Sequence, residues 1–480
     1  MIKPSLGGSI MSVLDQNVRV YKYFEEISKI PHGSFHEEKL SAYIERFAKE
    51  HDYEYIRDDM DNVVIYKPAS PGYQDHDAVM LQGHMDMVCE KNKETNFNFE
   101  TDSLNLYLED GWLKAKGTTL GADDGVGIAS MLAILDDKTL KHPPLECVFT
   151  VQEEVGLFGA SHLKKEYFKA KKMIGLDGGG EVVTCVTSSG GRYSYVEKEV
   201  FFEKNSNPTY HLIVKGLDGG HSGGCIDQEK GNSIKIAFRI LEKLEDIQLV
   251  DIAGGLKENA IPRECGVYFT SKEDPTDTIE AFVKDLAIEF EFSDKNLEVI
   301  CDKVETADKA MTLKDSQETI TMFYLFPNGF QHKSMAIDGL TLASLNLGKV
   351  RLEDNVVKCS FCIRSPMESM KDEMGNKIHK VATLCNAKEY QNTNFPGWNY
   401  EEHSPLREKL QILLETKGVQ METEASHGGM ETGILKGLLP ELDIITYGPI
   451  AFGCHTPDEK LDVASFKRSY DNLCELLEML

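Results

Sequence analysis

The chain has 480 residues, of which 41% are hydrophobic, and this is enough for two or three domains with ordinary buried cores. Its formal net charge of −27 would repel phosphate backbones and anionic lipids, so the sequence argues against nucleic acid and membrane surfaces as partners. No run approaches the roughly 18 apolar residues of a membrane helix, and the opening MIKPSLGGSIMSVLDQ lacks the apolar core of a secretory signal.

The cysteines indicate the compartment. Eleven of them, an odd number without a repeating framework, are typical of free thiols in a reducing environment. We therefore expect a cytoplasmic protein. The sequence leaves the oligomeric state open, with a homodimer as one alternative.

Helices and strands alternate in the first third of the chain. Leu14, Val18, Tyr21 and Ile27 recur at helical spacing, and Ser34 with Glu37 predicts a capping box that opens the next helix. The pattern then predicts strands at 62–66, 78–81, 146–152 and 173–176 and a helix at 125–135. Such alternation is typical of an α/β fold with a mostly parallel, helix-covered sheet.

The middle of the chain has a different texture. Strands at 210–214 and 266–270 are separated by helices predicted at 232–245 and 276–291, and two strand–Ser–Pro–helix segments hint at an internal duplication. After 394 the α/β character returns and ends in an amphipathic helix. We predict a first domain in two parts, 1–189 and 395–480, interrupted by an inserted α+β domain at 190–394.

Five residues that can ligate metals lie outside the predicted insertion. They are two histidines and three acids in short motifs, namely His84, Asp123, Glu154, Asp177 and His455. Several follow predicted strands, which is where open α/β sheets place their sites. Two imidazoles and three carboxylates make two metal sites if one carboxylate is shared, and a pair of divalent ions is a common device for hydrolysing amides and phosphates.

Two further acids accompany these ligands. Glu153 is adjacent to Glu154 and would diverge from it, so we expect Glu153 to act as general base on water. Asp86 lies two residues beyond His84, on the same face of an extended segment, and can orient that imidazole from behind.

The ordered motifs resemble the co-catalytic metallopeptidase superfamily of aminoacylase and carboxypeptidase G, most closely its aminoacyl-histidine dipeptidase branch. The resemblance runs through LQGHMDMVCEKN, KGTTLGADDGVGIA, VQEEVGLFGA, GLDGGHSGG, ENAIPRE, SHGGMETG and GCHTPDEKLDV, and so covers nearly the whole chain. It implies a zinc-peptidase-like mixed sheet flanked by helices, with the inserted domain acting as a lid. One departure is the glycine-rich DGGGE after Asp177, where relatives often carry more acidic residues.

The resemblance also implies roles for individual residues. His84 and Asp177 would bind one metal, Glu154 and His455 the other, and Asp123 would bridge them, usually across a cis peptide to Asp124. Asp86 would clamp His84 and Glu153 would be the base. From the lid, His221 would steady the oxyanion and Asn259 and Arg364 would hold the substrate carboxylate, while the loop that contains His427 and Gly429 would line the pocket.

The implied substrate is an unblocked dipeptide, including those with C-terminal histidine such as carnosine. The implied cofactors are two divalent ions per chain, with Zn²⁺ expected and Mn²⁺ or Co²⁺ as alternatives, because mixed nitrogen and oxygen ligands accept several metals.

Two alternative functions remain at this stage. The segment from Gly220 to Gly224 fits the G-x-S-x-G elbow of serine hydrolases and would make Ser222 a nucleophile. An elbow needs a helix immediately after the serine, and the polar CIDQEKGN segment argues against one. The other alternative is a noncatalytic metal- or peptide-binding protein, against which the presence of both Glu153 and Asp86 argues.

Overall fold

The chain forms two compact units in a computed structural model that describes residues 12–480. Residues 1–11, which include most of the segment considered above as a secretory signal, lie outside the described part. The first unit extends to Thr187 and resumes over Tyr400–Glu424 and Ile434–Leu480, and the second comprises Ser188–Asn399 and Ala425–Gly433. The second unit thus takes in the short segment that carries His427 and Gly429. The assignment of the parts as catalytic domain and lid stays a prediction.

A mixed sheet of six strands forms the centre of the first unit. Four adjacent strands pair in parallel, and each of the two strands at one edge pairs antiparallel with the next strand inward. In order across the sheet, the strands are Glu54–Arg57, Val63–Lys67, Leu145–Thr150, Val79–His84, Lys172–Gly175 and Asp443–Thr446. The predicted fold class, a mixed α/β sheet flanked by helices, is confirmed.

Helices and a smaller sheet surround these strands. The helices with bounds inside the first unit are Arg19–Ile27, Glu38–Glu50, Ala122–Asp136, Phe158–His162, Pro405–Thr416 and Val463–Met479. The smaller sheet is antiparallel and contains Ala451–Phe452, Lys460–Asp462, Trp112–Ala115 and Leu106–Glu109. The strands Val183–Ser188 and Glu422–Ser426, together with the helix Glu431–Leu438, run across the boundary positions of the two units.

The helix Ala122–Asp136 lies in the core of the first unit. Its residues Ile128 and Leu132 are fully buried, as are Leu81 and Ile174 on the central strands. Nearly every side of this helix is buried, and after the two acids of its first turn its sequence is mostly apolar up to Leu135, without an amphipathic stripe. No helix in the part of the chain from 12 to 480 is long and apolar enough to cross a lipid bilayer.

The predicted capping box at Ser34 is wrong. The helix Glu38–Glu50 begins after Glu37, which makes no side-chain capping hydrogen bond. The Ser34 hydroxyl donates to Asp86 Oδ2 over 2.8 Å, and Glu37 Oε1 accepts the Gln152 N–H over 3.0 Å. Both side chains therefore bind neighbouring loops instead of their own helix.

The second unit is built on an antiparallel sheet. The order along it is Glu298–Val304, Thr209–Lys215, Cys265–Thr270, Gln248–Gly254, Thr341–Glu353, Val356–Ser365, Gly190–Glu199 and Lys388–Phe395, and Gly329–Lys333 also pairs with Thr341–Glu353. Its helices are Ser222–Cys225, Ser233–Leu241, Thr276–Glu289, Leu313–Leu325 and Glu368–Leu384. Two short pairs complete it, Phe202–Lys204 with Lys309–Met311 and Gly220–His221 with Ala260–Ile261. A separate apolar core fills this unit.

Candidate metal centre and active site

Three of the five expected metal ligands lie at one edge of the central sheet of the first unit. His84 is the last residue of its strand, and Glu154 and Asp177 follow the strands on either side of it. These three strands are parallel, so their carboxyl ends meet at the same edge. The sheet therefore brings together side chains that are far apart in the sequence.

Asp123 joins the two histidines. Its Oδ1 lies 3.0 Å from His84 Nε2, and its Oδ2 lies 3.2 Å from His455 Nε2. His455 Nε2 is also 2.9 Å from Glu154 Oε1. Ligand atoms of His84, Asp123 and Glu154 all lie within 4.8 Å of one another. One carboxylate thus has an imidazole on each oxygen, as a bridging ligand requires.

The pKa values of these groups reflect how closely they are packed. Hydrogen bonds to Asp123 and Glu154 raise the pKa of His455 to about 10. Burial opposes charge on His84, but its bonds to Asp123 and Asp86 raise its pKa well above the usual value. Burial likewise opposes charge on Asp123, yet the bonds from His455 and His84 lower its pKa. The two imidazoles thus favour the charged form of the Asp123 carboxylate.

Asp177 faces the same cluster without a compensating proton donor of its own in the described contacts. Burial, followed by the negative charge of Asp123, raises its pKa to about 7, and Glu154 adds to the effect. Crowded carboxylates of this kind are relieved by a cation. Imidazole nitrogens and carboxylate oxygens are donors that divalent transition metals accept, so the residues fit a metal centre.

The segment around Asp123 departs from ordinary helix geometry. Asp123 and Asp124 have non-helical dihedral angles within Ala122–Asp136, and the peptide bond between them is cis, as the resemblance implies. Asp124 is buried, and burial raises its pKa well above the usual value. A Cβ atom at Gly83 would lie 2.2 Å from Asp124 Oδ2, and one at Gly127 would lie 2.5 Å from it. These two motif glycines therefore leave room for the Asp124 carboxylate.

Asp86 anchors both His84 and the glutamate pair. The nearest acceptor of His84 Nδ1 is the backbone oxygen of Asp86 at 2.9 Å, while Asp86 Oδ1 is 3.5 Å away. The Asp86 carboxylate also accepts the backbone N–H of Glu153 over 2.9 Å and that of Glu154 over 3.2 Å. A single buried acid thus fixes the backbone from which both glutamates project.

The adjacent glutamates have different surroundings. Glu154 is directed to His455, whereas Glu153 is half-buried and its negative charge contributes to raising the pKa of His84. Glu153 therefore acts on the expected ligand His84 through its charge, whereas Glu154 is in direct contact with the expected ligand His455.

In the second unit, the expected oxyanion donor His221 and the expected substrate-binding residue Asn259 lie close together. His221 pairs in register with Ala260, and the Ser222 N–H donates to the Asn259 carbonyl oxygen over 2.9 Å. His221 Nδ1 accepts the Gly223 N–H over 3.2 Å, which leaves its Nε2 to carry the proton.

Arg364 and His427 form a buried cluster in the same unit. Arg364 is 6% exposed, and its Nε has no hydrogen-bond partner among residues 12–480. His427 Nδ1 lies 2.9 Å from Ser189 Oγ and its Nε2 lies 2.7 Å from Ser344 Oγ. Burial, followed by the charge of Arg364, lowers the pKa of His427 to about 3. The cluster therefore carries the positive charge of Arg364 beside a neutral imidazole.

Asn346 is a functional candidate that the sequence reasoning missed. Its side-chain amide donates to the carbonyl oxygens of Glu258 over 2.9 Å and Ala260 over 2.8 Å, on either side of Asn259. Ser344, two residues earlier on the same strand, binds His427. The available signal was two small polar residues at alternate positions of the apolar strand TLASLNLG. Gly429 lies two residues after His427, before the helix Glu431–Leu438.

The structure of the segment at Ser222 differs from the expectation that no helix follows this serine. A one-turn helix, Ser222–Cys225, does begin at this serine, because the glycines around it permit a tight turn. Ser222 is, however, 1% exposed, and its hydroxyl has no hydrogen-bond partner within the described residues. A serine nucleophile requires a base within hydrogen-bond reach, so this geometry does not support a serine hydrolase.

Comparison with known proteins identifies the family. Residues 80–479 match peptidase family M20/M25/M40. The chain belongs to this family. It is therefore a peptide hydrolase by membership, and both the predicted resemblance and the predicted enzyme class are confirmed.

Full-length relatives of this M20 peptidase support the assignment. It is 36% identical over 477 residues to the cytosol non-specific dipeptidase of Escherichia coli K12, an alignment that covers 96% of this chain and 97% of that protein. The crystal structure of an aminoacylhistidine dipeptidase from Vibrio alginolyticus superposes with a TM-score of 0.89 at 32% identity and covers 96% of both chains. An aminopeptidase, PepT, from Bacillus cereus has a TM-score of 0.55 at 17% identity over 97% of this chain and 99% of that one, and shares the fold.

Substitution of Asp123 tests its position between the two histidines. We expect Asp123→Ala to lose both divalent ions together, whereas Asp177→Ala loses mainly one, because only Asp123 contacts both imidazoles. Elemental analysis of purified protein measures the metal content. Asp136→Ala, at the far end of the same helix, is the matched control and should retain both ions. Loss of a single ion in Asp123→Ala would contradict the bridging role.

Proposed function

We propose that this chain is a metal-dependent dipeptidase that hydrolyses unblocked dipeptides, including Xaa-His dipeptides such as carnosine. The observation that carries the proposal is the Asp123 carboxylate, with one imidazole on each oxygen, beside the glutamate pair. Membership of a peptidase family supports the substrate class, as does the likeness to the non-specific dipeptidase of Escherichia coli and to the aminoacylhistidine dipeptidase of Vibrio alginolyticus.

The proposed cofactors are two divalent ions per chain. His84 and Asp177 would hold one, Glu154 and His455 the other, and Asp123 would contribute to both. Zn²⁺ is the proposed metal, and Mn²⁺ and Co²⁺ suit the same mixture of nitrogen and oxygen donors. Bound divalent ions supply Lewis acidity, which polarises a carbonyl group and lowers the pKa of water.

Glu153 is the proposed general base. It takes a proton from the attacking water and delivers it to the leaving nitrogen. This proton is needed because the nitrogen of an amide does not leave as an anion. The backbone of Glu153 is held by Asp86, so its side chain starts from a fixed position. Asp86 also orients His84 through the contacts to its Nδ1.

His221 is the proposed donor to the oxyanion. Burial, followed by the charge of Arg364, lowers its pKa, so the ring is neutral at neutral pH. Because Nδ1 accepts a backbone N–H, the proton lies on Nε2, where it can donate to a developing negative charge.

Asn259 and Arg364 are the proposed ligands of the substrate's terminal carboxylate. The buried Nε of Arg364 supports this role, because it has no hydrogen-bond partner among residues 12–480 and a buried donor is costly when it is left unpaired. A guanidinium can bind a carboxylate through two parallel hydrogen bonds, which fixes the distance from the scissile bond to the chain end. The loop with His427 and Gly429 would line the same pocket.

A cytosolic location is also proposed, on the basis of the name of the Escherichia coli relative. The expected lack of nucleic acid and membrane partners, and the homodimer, stay predictions.

A dipeptide panel tests the proposed function. Purified protein should release free amino acids from unblocked dipeptides, including Xaa-His substrates, and a chelator should abolish the release because the cluster depends on a cation. A serine-reactive phosphonate is the control and should have no effect. Inhibition by the phosphonate but not by the chelator would favour Ser222, and metal binding without any hydrolysis would favour a noncatalytic binding protein.

Single substitutions separate the roles of Glu153 and Glu154. Glu153→Ala should retain both ions and lose at least ~100-fold in turnover, the lower range for a positioned general base. Glu154→Ala should weaken mainly one ion, because Glu154 contacts His455. Steady-state kinetics and elemental analysis on the same samples give the answer. If Glu153→Ala loses metal while Glu154→Ala keeps both ions, the two roles are exchanged.

Amidated substrates test the proposed site for the terminal carboxylate. Amidation of a dipeptide should weaken cleavage sharply in the wild type, and Arg364→Ala should shrink the difference between free and amidated substrates. The measurement is kcat/KM for both substrate forms. Arg351→Ala is the matched control, because this arginine binds the carbonyl oxygens of Gly254 and Gly255, each over 2.6 Å, and should leave the difference unchanged. Equal cleavage of free and amidated dipeptides by the wild type would show that no carboxylate site operates.

A further inference from the structure

Besides Asp86 and Asp124, a further buried acid, Glu459, lies close to the expected metal ligands of the first unit. Glu459 is 3% exposed and comes four residues after His455, between the short strands Ala451–Phe452 and Lys460–Asp462. None of the roles proposed above uses it. Its side chain is directed to the segment that leads into Asp123.

Within the described part of the chain, the hydrogen bonds of the Glu459 carboxylate are all with backbone amides. Oε2 accepts the N–H of Leu120 over 2.7 Å and of Gly121 over 3.1 Å. Oε1 accepts the N–H of Ala122 over 2.9 Å and of Asp123 over 3.4 Å. One carboxylate therefore binds four consecutive residues, the last of which is the shared ligand itself.

This arrangement differs from ordinary helix capping. A helix start leaves N–H groups without partners, and usually a side chain from the residue just before the helix accepts one of them. Here the N-cap position is Gly121, which has no side chain and a positive φ of 68°. Asp123, two residues later, has non-helical dihedral angles. The acceptor comes from more than 330 residues further along the chain.

Glu459 also closes the turn that directly follows the one containing His455. The Thr456 N–H donates to the Gly453 carbonyl oxygen over 3.2 Å, and the Glu459 N–H donates to the Thr456 carbonyl oxygen over 3.1 Å. Within the first of these turns His455 adopts a φ of 66°, in the left-handed region that residues with a side chain rarely enter. Glu459 thus lies in the turn next to one expected ligand, His455, and binds the backbone of another, Asp123.

We infer that Glu459 is a positioning residue that holds Asp123 and His455 at a fixed separation and thereby sets the affinity of the metal centre. The inference rests on the proposed metal ligands. It requires the charged carboxylate, because two equivalent acceptor oxygens are needed for the four N–H groups.

Glu459→Gln tests the inference with little change in size. A glutamine has one acceptor oxygen, and its amide N–H group would face the backbone donors that the second oxygen now binds. Loss of a group that orients a metal ligand typically costs about 10- to 100-fold in metal affinity. We expect a loss in this range for Mn²⁺ or Zn²⁺ binding to the metal-free protein, measured by calorimetric titration.

Glu146→Gln is the matched control. Glu146 is 4% exposed and accepts the N–H of Lys169 over 2.7 Å and of Ala170 over 3.2 Å. It contacts no expected metal ligand in the described hydrogen bonds. Both variants should lower the Tm of the metal-free protein, but only Glu459→Gln should reduce the rise in Tm that added metal produces.

The outcomes decide between positioning and plain stability. Wild-type metal affinity in Glu459→Gln, with a Tm loss like that of Glu146→Gln, would overturn the inference. If Glu459→Gln does not fold, Glu459→Asp enters the same titration, and its shorter side chain should also weaken binding, whereas unchanged affinity would again overturn the proposal. Failure of the wild type to bind two ions would instead contradict the proposed metal centre. This result is distinguishable from failure of the Glu459 proposal, because it is seen in the wild type without any substitution.

Discussion

The concentration of negative charge at one edge of the central sheet is the constraint on which the rest of the first unit depends. Asp123, Glu154 and Asp177 converge there, and two imidazoles lie between them. Carboxylates buried this closely repel one another unless positive charge separates them. The fold therefore holds in place a group of side chains that is stable only with protons or cations among them, and this is the property that a metal-dependent hydrolase needs.

Backbone amides hold this charge in position. Asp86 binds the N–H groups of the two adjacent glutamates, and Glu459 binds those leading into Asp123. Glu459 accepts main-chain donors, and Asp86 accepts two main-chain N–H groups together with the Ser34 hydroxyl. Among the described hydrogen bonds, neither acid has a lysine or arginine as its partner. Glycines complete the packing, because a Cβ atom at Gly83 would collide with the Asp124 carboxylate. The same short motifs thus supply both the expected ligands and the glycines that leave room for them.

Much of the site was predictable because its residues lie in short motifs after strands. Strand positions followed from apolar runs, and His84, Asp123, Glu154 and His455 are in contact as the motif reading requires. Other features were not predictable. Ser34 has the spacing of a helix cap but binds Asp86, and Ser222 opens a short helix that its polar surroundings argued against. Ser344, Asn346 and Glu459 act on residues far away in the sequence, and such contacts leave no local periodicity.

The hydrogen bonds of His427 have a consequence for the electrostatics of the second unit. With a serine hydroxyl on each nitrogen and a pKa near 3, the imidazole does not change charge between mildly acidic and alkaline conditions. The imidazole therefore adds no pH-dependent charge beside Arg364 over that range, so that a histidine, usually a pH-sensitive side chain, serves here as an uncharged spacer.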